Sequence, residues 1–234
     1  MTQESAQCLN IFLPMKLTNT QEQVLRLLGQ SVLAKKFYWT GGTLLAYHYL
    51  HHRHSVDLDF FTSEQFSFDE INEFVQQVKD AARFTTVSSK KIFDRYEFLF
   101  EKSEETLRIE FVYYNGHRKT LQERTEKLFG VLIDSLDDLA ANKTLAYFDR
   151  TEPKDLFDLY FLLTQKSFSV QKLLAMVQKK FGATFTESLF WSESFKHLPL
   201  LETVTPLIEK KEIIQQIEEY FKKCSDAFLR KTLE

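Results

Sequence analysis

The sequence predicts an α+β protein, with a sheet and flanking helices over residues 1–130 and an all-helical half over residues 131–234. Three observations carry that prediction. A short aromatic strand runs into a glycine pair and then a helix near residue 40. A period-two alternation spans Phe84 to Tyr114, and helical spacing takes over after Gly130. The chain has six glycines and four prolines against 23 phenylalanines. That balance excludes collagen-like and linker-rich chains and disfavours a turn-dense all-β fold.

Taken in order, residues 1–18 read as an irregular lead-in. Thr20 to Lys35 is helical, with Val24, Leu27, Leu28 and Leu33 at helical spacing and Thr18 or Thr20 as the cap. Phe37 to Thr40 is a strand that ends at Gly41-Gly42, and Thr43 to His52 reads as the next helix. Val56 to Thr62 is a second strand. Ser67 and Glu70 stand in capping-box relation at the head of a helix whose apolar face is Ile71, Phe74, Val75 and Val78. Phe84–Ser88, Ile92–Phe100 and Leu107–Tyr113 alternate as consecutive antiparallel strands. The helical half reads as Leu136–Phe148, Asp155–Thr164, Val170–Phe181, Thr186–Lys196 and Leu207–Leu229. In the last helix Ile214, Ile217, Phe221, Cys224 and Phe228 form a core-facing stripe.

Lys plus Arg total 30 and Asp plus Glu 33. Neither half is a basic module, so net charge gives no support for tight non-specific nucleic-acid binding. Cys8 and Cys224 lie far apart with no CxxC or His spacing, which reads as incidental thiols of a reducing compartment. With no signal-peptide layout and no long apolar run, the expected location is cytoplasmic, with no membrane contact.

Chemistry concentrates in two places. A glycine pair between strand and helix lets backbone approach a phosphate closely, and it equally serves a plain tight turn. Fifteen or so residues later, Asp57 and Asp59 fall on one face of a strand while Val56, Leu58 and Phe60 take the other. Two carboxylates so close repel unless a cation joins them, and Mg²⁺ prefers such hard oxygens; two solvated aspartates also fit the pattern. Glu110 alternates against Ile109 and Phe111 and joins this acidic pair if its strand lies beside theirs. Otherwise it forms an exposed charged face with Arg108. His48 and His52 have a metal-like i,i+4 spacing but no neighbouring carboxylate or cysteine. They read as solvent-facing or substrate-adjacent.

The run Gly41–Phe61, GGTLLAYHYLHHRHSVDLDFF, resembles the active-site signature of the AbiEii/AbiGii-type nucleotidyltransferases. These are the toxins of type IV toxin–antitoxin systems, in the DNA polymerase beta-like superfamily. The signature is Gly-Gly-Thr, a short helix, then Arg-x-Ser-x-Asp-Leu-Asp-Phe-Phe. A second block, Asp138 to Ala146 with Lys143, followed by Arg150 and Lys154-Asp155-Leu156-Phe157-Asp158-Leu159-Tyr160, is similar to the family's lysine helix and Asp-x-x-Asp-Leu-Tyr element. Asn142 departs from the usual Met before the lysine, and Glu110 stands where the superfamily commonly has Asp. The last ~70 residues carry no matching motif.

The resemblance implies a nucleotidyltransferase-like mixed sheet and a helical domain completing an NTP cleft. It implies transfer of an NMP group from an NTP to RNA, protein or a small molecule. Gly41, Gly42, Thr43, Arg53, Ser55 and Lys143 would serve the phosphates. Asp57, Asp59 and Glu110 would hold Mg²⁺ or Mn²⁺, and Asp155 and Asp158 would complete the catalytic set. A cognate antitoxin is an implied partner. The alternative readings are an inactive NTP-binding or protein-interaction module on the same fold, and a metal-dependent phosphohydrolase.

Overall fold

The computed structural model describes residues 15–114 and 119–233; Cys8 and most of the expected lead-in lie outside the described residues. By its contacts the chain forms two compact units. One, the sheet unit, comprises Lys16–Tyr49 and His54–Leu139. The other, the helical unit, holds Leu50–Arg53 and everything from Ala140 onward.

The sheet unit opens with α1 (Asn19–Gln30), where Thr18 and Gln21 form a reciprocal capping box. Ser31 then caps a 3₁₀ turn, Val32–Lys35. The expected single helix is therefore broken in two. Strand β1 (Tyr38–Thr40) enters α2 (Gly41–Leu44), which continues as a π-helical stretch, Leu45–Leu50. His51, at φ 53°, ends it. Strand β2 (Leu58–Thr62) follows, and then α3 (Phe68–Ala82) with the expected Ser67–Glu70 capping box. The antiparallel meander is β3 (Thr86–Ile92), β4 (Arg95–Lys102) and β5 (Glu105–Tyr113). Strand β3, mostly exposed and rich in Ser and Lys, suits the sheet edge it occupies.

Two short strands, β6 (Lys127–Leu128) and β7 (Val131–Ile133), complete a seven-stranded mixed sheet of order β3-β4-β5-β2-β1-β7-β6. The expectation that everything after Gly130 is helical is corrected here. Val131–Ile133 runs parallel to β1, and the Phe129–Gly130 turn, with both φ positive, reverses it against β6. Strand β2 is antiparallel to β1 and parallel to β5.

Much of the phenylalanine excess is core, while Phe93 and Phe195 are exposed. Phe111, fully buried, has Phe37, Phe60, Phe74 and Phe98 around it at ring separations of 5.0 to 6.2 Å.

Helix α4 (Leu136–Asp149) begins in the sheet unit and continues in the helical one. It is followed by α5 (Pro153–Thr164), α6 (Val170–Phe181) and α7 (Glu187–His197). A 3₁₀ stretch, Leu198–Leu207, precedes α8 (Glu212–Leu233). The last helix thus starts later than its apolar pattern suggested, because Pro206 falls in the 3₁₀ segment and supplies no backbone N–H. On α8 Ile214, Ile217 and Phe221 are buried, while Cys224 is only half-buried. No helix among the described residues is long and apolar enough to cross a membrane.

Gly29 in α1 marks a close approach. A Cβ there would stand 1.9 Å from the Phe129 carbonyl oxygen, which is backbone and cannot swing aside. Gly29→Ala is therefore expected to destabilise the protein by about 1–3 kcal/mol through overpacking. Helix propensity alone would give about 1 kcal/mol in the opposite direction. The shift in denaturant midpoint decides which effect wins.

Candidate active site

In the sheet unit the glycine turn and the aspartates converge. Gly41 has φ +83°, and a Cβ on it would lie 1.8 Å from Asp59 Oδ2. Any other residue would strain the turn and displace the carboxylate. The stretch before β2 is fixed from two sides. Gln21, itself buried, donates to the Ser55 and Val56 carbonyls at 3.0 and 3.1 Å. The Thr43 hydroxyl donates to the Asp57 carbonyl and meets Ser55 Oγ at 2.9 Å. Thr43 and Ser55, expected at the phosphates, are thus joined to each other and set the entry to β2.

On β5, Glu110 is the register partner of Asp59, so the condition for these acids to share a face is met. The Glu110 carboxylate accepts from Arg95 Nη1 at 3.1 Å. Arg108, two residues earlier, donates to Asp57 Oδ2. Burial by itself would lower the Arg108 pKa, but the Asp57, Glu110 and Asp59 carboxylates outweigh it and raise it.

As donors, Asp57 and Asp59 fit Mg²⁺, which takes hard oxygens in small numbers and keeps the rest of its shell for water and phosphate. Among the described residues no three His, Cys, Asp or Glu side chains are gathered to hold a metal ion. The fit is therefore to the aspartate pair. A shallow concavity of about 260 Å³ elsewhere on this unit is lined by α1 residues such as Glu22 and Arg26 and contains none of these acids.

A second cluster in the sheet unit carries no sequence motif. Asp134, buried at the end of β7, accepts from Thr40 Oγ1 at 2.7 Å and Arg124 Nε at 2.6 Å. Its carbonyl accepts from the Tyr49 hydroxyl at 2.8 Å. The Arg124 guanidinium lies 3.4 Å from the Tyr38 ring centroid. This cluster grips Thr40, the residue immediately before Gly41, and so holds the turn from its far side. Asp138 fixes the start of α4 in a similar way, accepting from the Leu121 and Gln122 amides and from Ser135 Oγ.

The helical unit holds the other expected residues in one buried cluster. Asp158 accepts from Arg53 Nε and Nη2 at 2.6 and 2.9 Å and faces Lys143 Nζ at 2.8 Å. Asp155, one turn earlier on α5, takes Lys143 at 2.9 Å and Arg150 at 2.8 Å. Burial would raise both aspartate pKa values. Arg53 and Lys143 hold Asp158 well below the usual carboxylate range, and Lys143 and Arg150 lower Asp155. Lys143 itself is desolvated, yet the two aspartates raise its pKa and keep it charged.

His52 corrects an expectation. It is buried rather than solvent-facing, with Nε2 at 2.6 Å from Asp158 Oδ1 and its ring beside Phe157 and Phe161. Burial, against the opposing pull of Asp158, pushes its pKa down to about 4. The neutral ring donates Nε2–H to the acceptor-only carboxylate, and Nδ1 is left buried without a hydrogen-bond partner among the described residues.

A histidine with a depressed folded pKa stabilises fully above its unfolded value and loses that contribution as pH falls. Stability is therefore expected to drop between pH 6.5 and about 4, by about 3 kcal/mol from this residue. Chemical denaturation at stepped pH measures it, and His52→Gln is expected to flatten that window.

With this geometry in view, comparison with known proteins places the chain. The Aquifex aeolicus (strain VF5) protein aq_aa25 is 28% identical over 221 residues, covering 94% of this chain and 97% of that protein. Two crystal structures of Helicobacter pylori proteins share the fold at 21% and 20% identity, with TM-scores of 0.56 and 0.55. The second is JHP933, and each comparison covers 92% of this chain and 95% of the other. The model of the nucleotidyl transferase AbiEii toxin family matches residues 23–233, spanning the glycine turn, the aspartate pair and the lysine cluster. The chain belongs to that family, the AbiEii nucleotidyltransferase toxins of type IV toxin–antitoxin systems.

Proposed function

We propose that this protein transfers a nucleoside monophosphate from an NTP to an acceptor hydroxyl, using Mg²⁺ or Mn²⁺ held by Asp57 and Asp59. The observation that carries the reading is the close approach of Gly41 to the Asp59 carboxylate, a turn that tolerates no side chain where a phosphate and its cation need room. In the reaction the acceptor oxygen bonds to the α-phosphorus as the bond to the β-phosphate oxygen breaks, and pyrophosphate leaves. Bound Mg²⁺ supplies charge stabilisation on the phosphate oxygens.

The chain's own groups do the rest. Gly41 and Gly42 admit the phosphates against backbone. Thr43 and Ser55, tied to each other, fix the turn relative to Asp57. Glu110, register partner of Asp59 and paired with Arg95, holds a third negative charge beside the aspartates, and the acceptor's proton leaves to solvent. Lys143 and Arg53 pair with Asp155 and Asp158 inside the helical unit and are assigned to holding its fold. Membership in a toxin family supports a cognate antitoxin as partner, and the near-balanced charge leaves RNA, a protein hydroxyl and a small molecule as acceptor classes.

A second reading, an NTP-binding module without transfer, draws on the pairing of Asp57 with Arg108. One experiment separates the two. Each radiolabelled NTP is incubated with Mg²⁺, total RNA and total protein, with wild type and with Asp57→Ala/Asp59→Ala. Label is expected in one macromolecular pool with wild type and to fall at least about 100-fold in the variant. Nucleotide binding with no label transferred to any pool and no pyrophosphate released would favour the module. Equal transfer by both proteins would remove these aspartates from the chemistry.

A further inference from the structure

We infer that Arg108 is the resident counter-ion of this site: it holds Asp57 in the metal-free protein and hands it over when a divalent cation binds, moving onto Glu97 and Glu110. The inference rests on the reading of Asp57 and Asp59 as cation ligands.

The Arg108 guanidinium stands among three carboxylates but is bonded to one. Nη2 donates to Asp57. Nη1 is 4.0 Å from Glu97 Oε2, and Nε is 3.7 Å from Glu110 Oε1. Both distances fall outside hydrogen-bond range. Among the described residues Nε is also buried with no hydrogen-bond partner, an unmet donor that a small rotation toward Glu110 would satisfy.

The receiving side is prepared as well. Glu110 already has Arg95 on its other oxygen. Glu97, opposite Glu110 on β4, is only partly buried and free to follow. Arginine cannot leave a carboxylate by losing its proton, so release requires movement. A divalent ion at Asp57 supplies the push through charge repulsion, and the two glutamates supply the destination. The Arg108 side chain is 38% exposed, so it keeps room to move. A partly exposed pair of this kind is weak enough to exchange.

Mn²⁺ alone, without nucleotide or acceptor, tests the handover. Free Mn²⁺ measured by electron paramagnetic resonance gives its affinity for wild type, Arg108→Gln, Glu97→Gln and Asp57→Asn. Arg108→Gln is expected to tighten binding about fivefold or more. Glu97→Gln, which removes a receiving carboxylate, is expected to weaken it, and Asp57→Asn to abolish it. In wild type, the ¹⁵N-detected Arg108 Nε–H resonance is expected to move as Mg²⁺ saturates the protein. That readout stands even if Arg108→Gln fails to fold.

Unchanged or weaker binding by folded Arg108→Gln, with Asp57→Asn still abolishing it, overturns the handover and leaves the aspartate reading intact. A static Nε–H resonance at saturation does the same. Equal binding by wild type and Asp57→Asn overturns the aspartate reading and the handover with it.

Discussion

Asp158 is a carboxylate with no exposed surface, and the helical unit is organised around answering its charge. An isolated buried carboxylate costs several kcal/mol, so a sequence that places one on α5 must bring donors to it from elsewhere. They come from two stretches. His52 and Arg53 supply three hydrogen bonds from the segment after the π-helical turn, and Lys143 supplies charge from α4. Asp155 extends the same solution by sharing Lys143 and drawing in Arg150. This accounts for the membership of Leu50–Arg53 in the helical unit although the residues on both sides of it belong to the sheet unit. Four residues are held there by a bidentate arginine and a buried histidine rather than by an element of their own.

In the sheet unit the equivalent constraint is register. Strand β2 alternates, with Leu58, Phe60 and Thr62 buried and Asp59 and Phe61 half-exposed. Strand β5 places Ile109 and Phe111 in the same rows as Leu58 and Phe60. Because side chains alternate with period two, slipping either strand by one residue would bury Asp59 in the phenylalanine cluster and separate it from Glu110. The aromatic core around Phe111 thus determines where the acids stand. Gly41 and the Thr40–Asp134 bond then fit the turn to that position.

Much of this was legible in the sequence. Alternation located β2 and β5, capping residues located α1 and α3, and helical spacing located α4 to α7 within a few residues. What escaped has physical reasons. Strands of two and three residues, such as β6 and β7, are too short to carry a period, so the sheet gained its parallel β7 neighbour unseen. Pro206 delayed α8 without disturbing the apolar stripe that pattern reading follows. His52 looked like part of a polar histidine cluster because its partner, Asp158, lies 106 positions away. Asp134 was silent for the same reason: its bond to Thr40 spans 94 positions. Local spacing reports which face a side chain takes, and cannot report what the fold brings to meet it.

The two clusters also differ in how far water reaches the partners of their carboxylates. In the helical unit Asp158 meets partners that are almost fully buried and held by several bonds, while Asp155 also draws on the half-exposed Arg150. Asp158 and its partners Arg53 and His52 have side chains at most 2% exposed. Compensation there is finished within the chain, and opening it to a ligand would strand a buried charge. In the sheet unit the acids meet arginines that water still reaches. Arg108 is 38% exposed against Asp57, and Arg95 is 39% exposed against Glu110. Such pairs gain little from their own contact and lose little when it is exchanged for another. The glycine–aspartate block follows the family signature at each motif position, and the lysine block departs from it at Asn142. Desolvation separates them: a carboxylate whose partners are all buried is costly to uncouple, and one paired with a partly exposed arginine exchanges that partner at little cost.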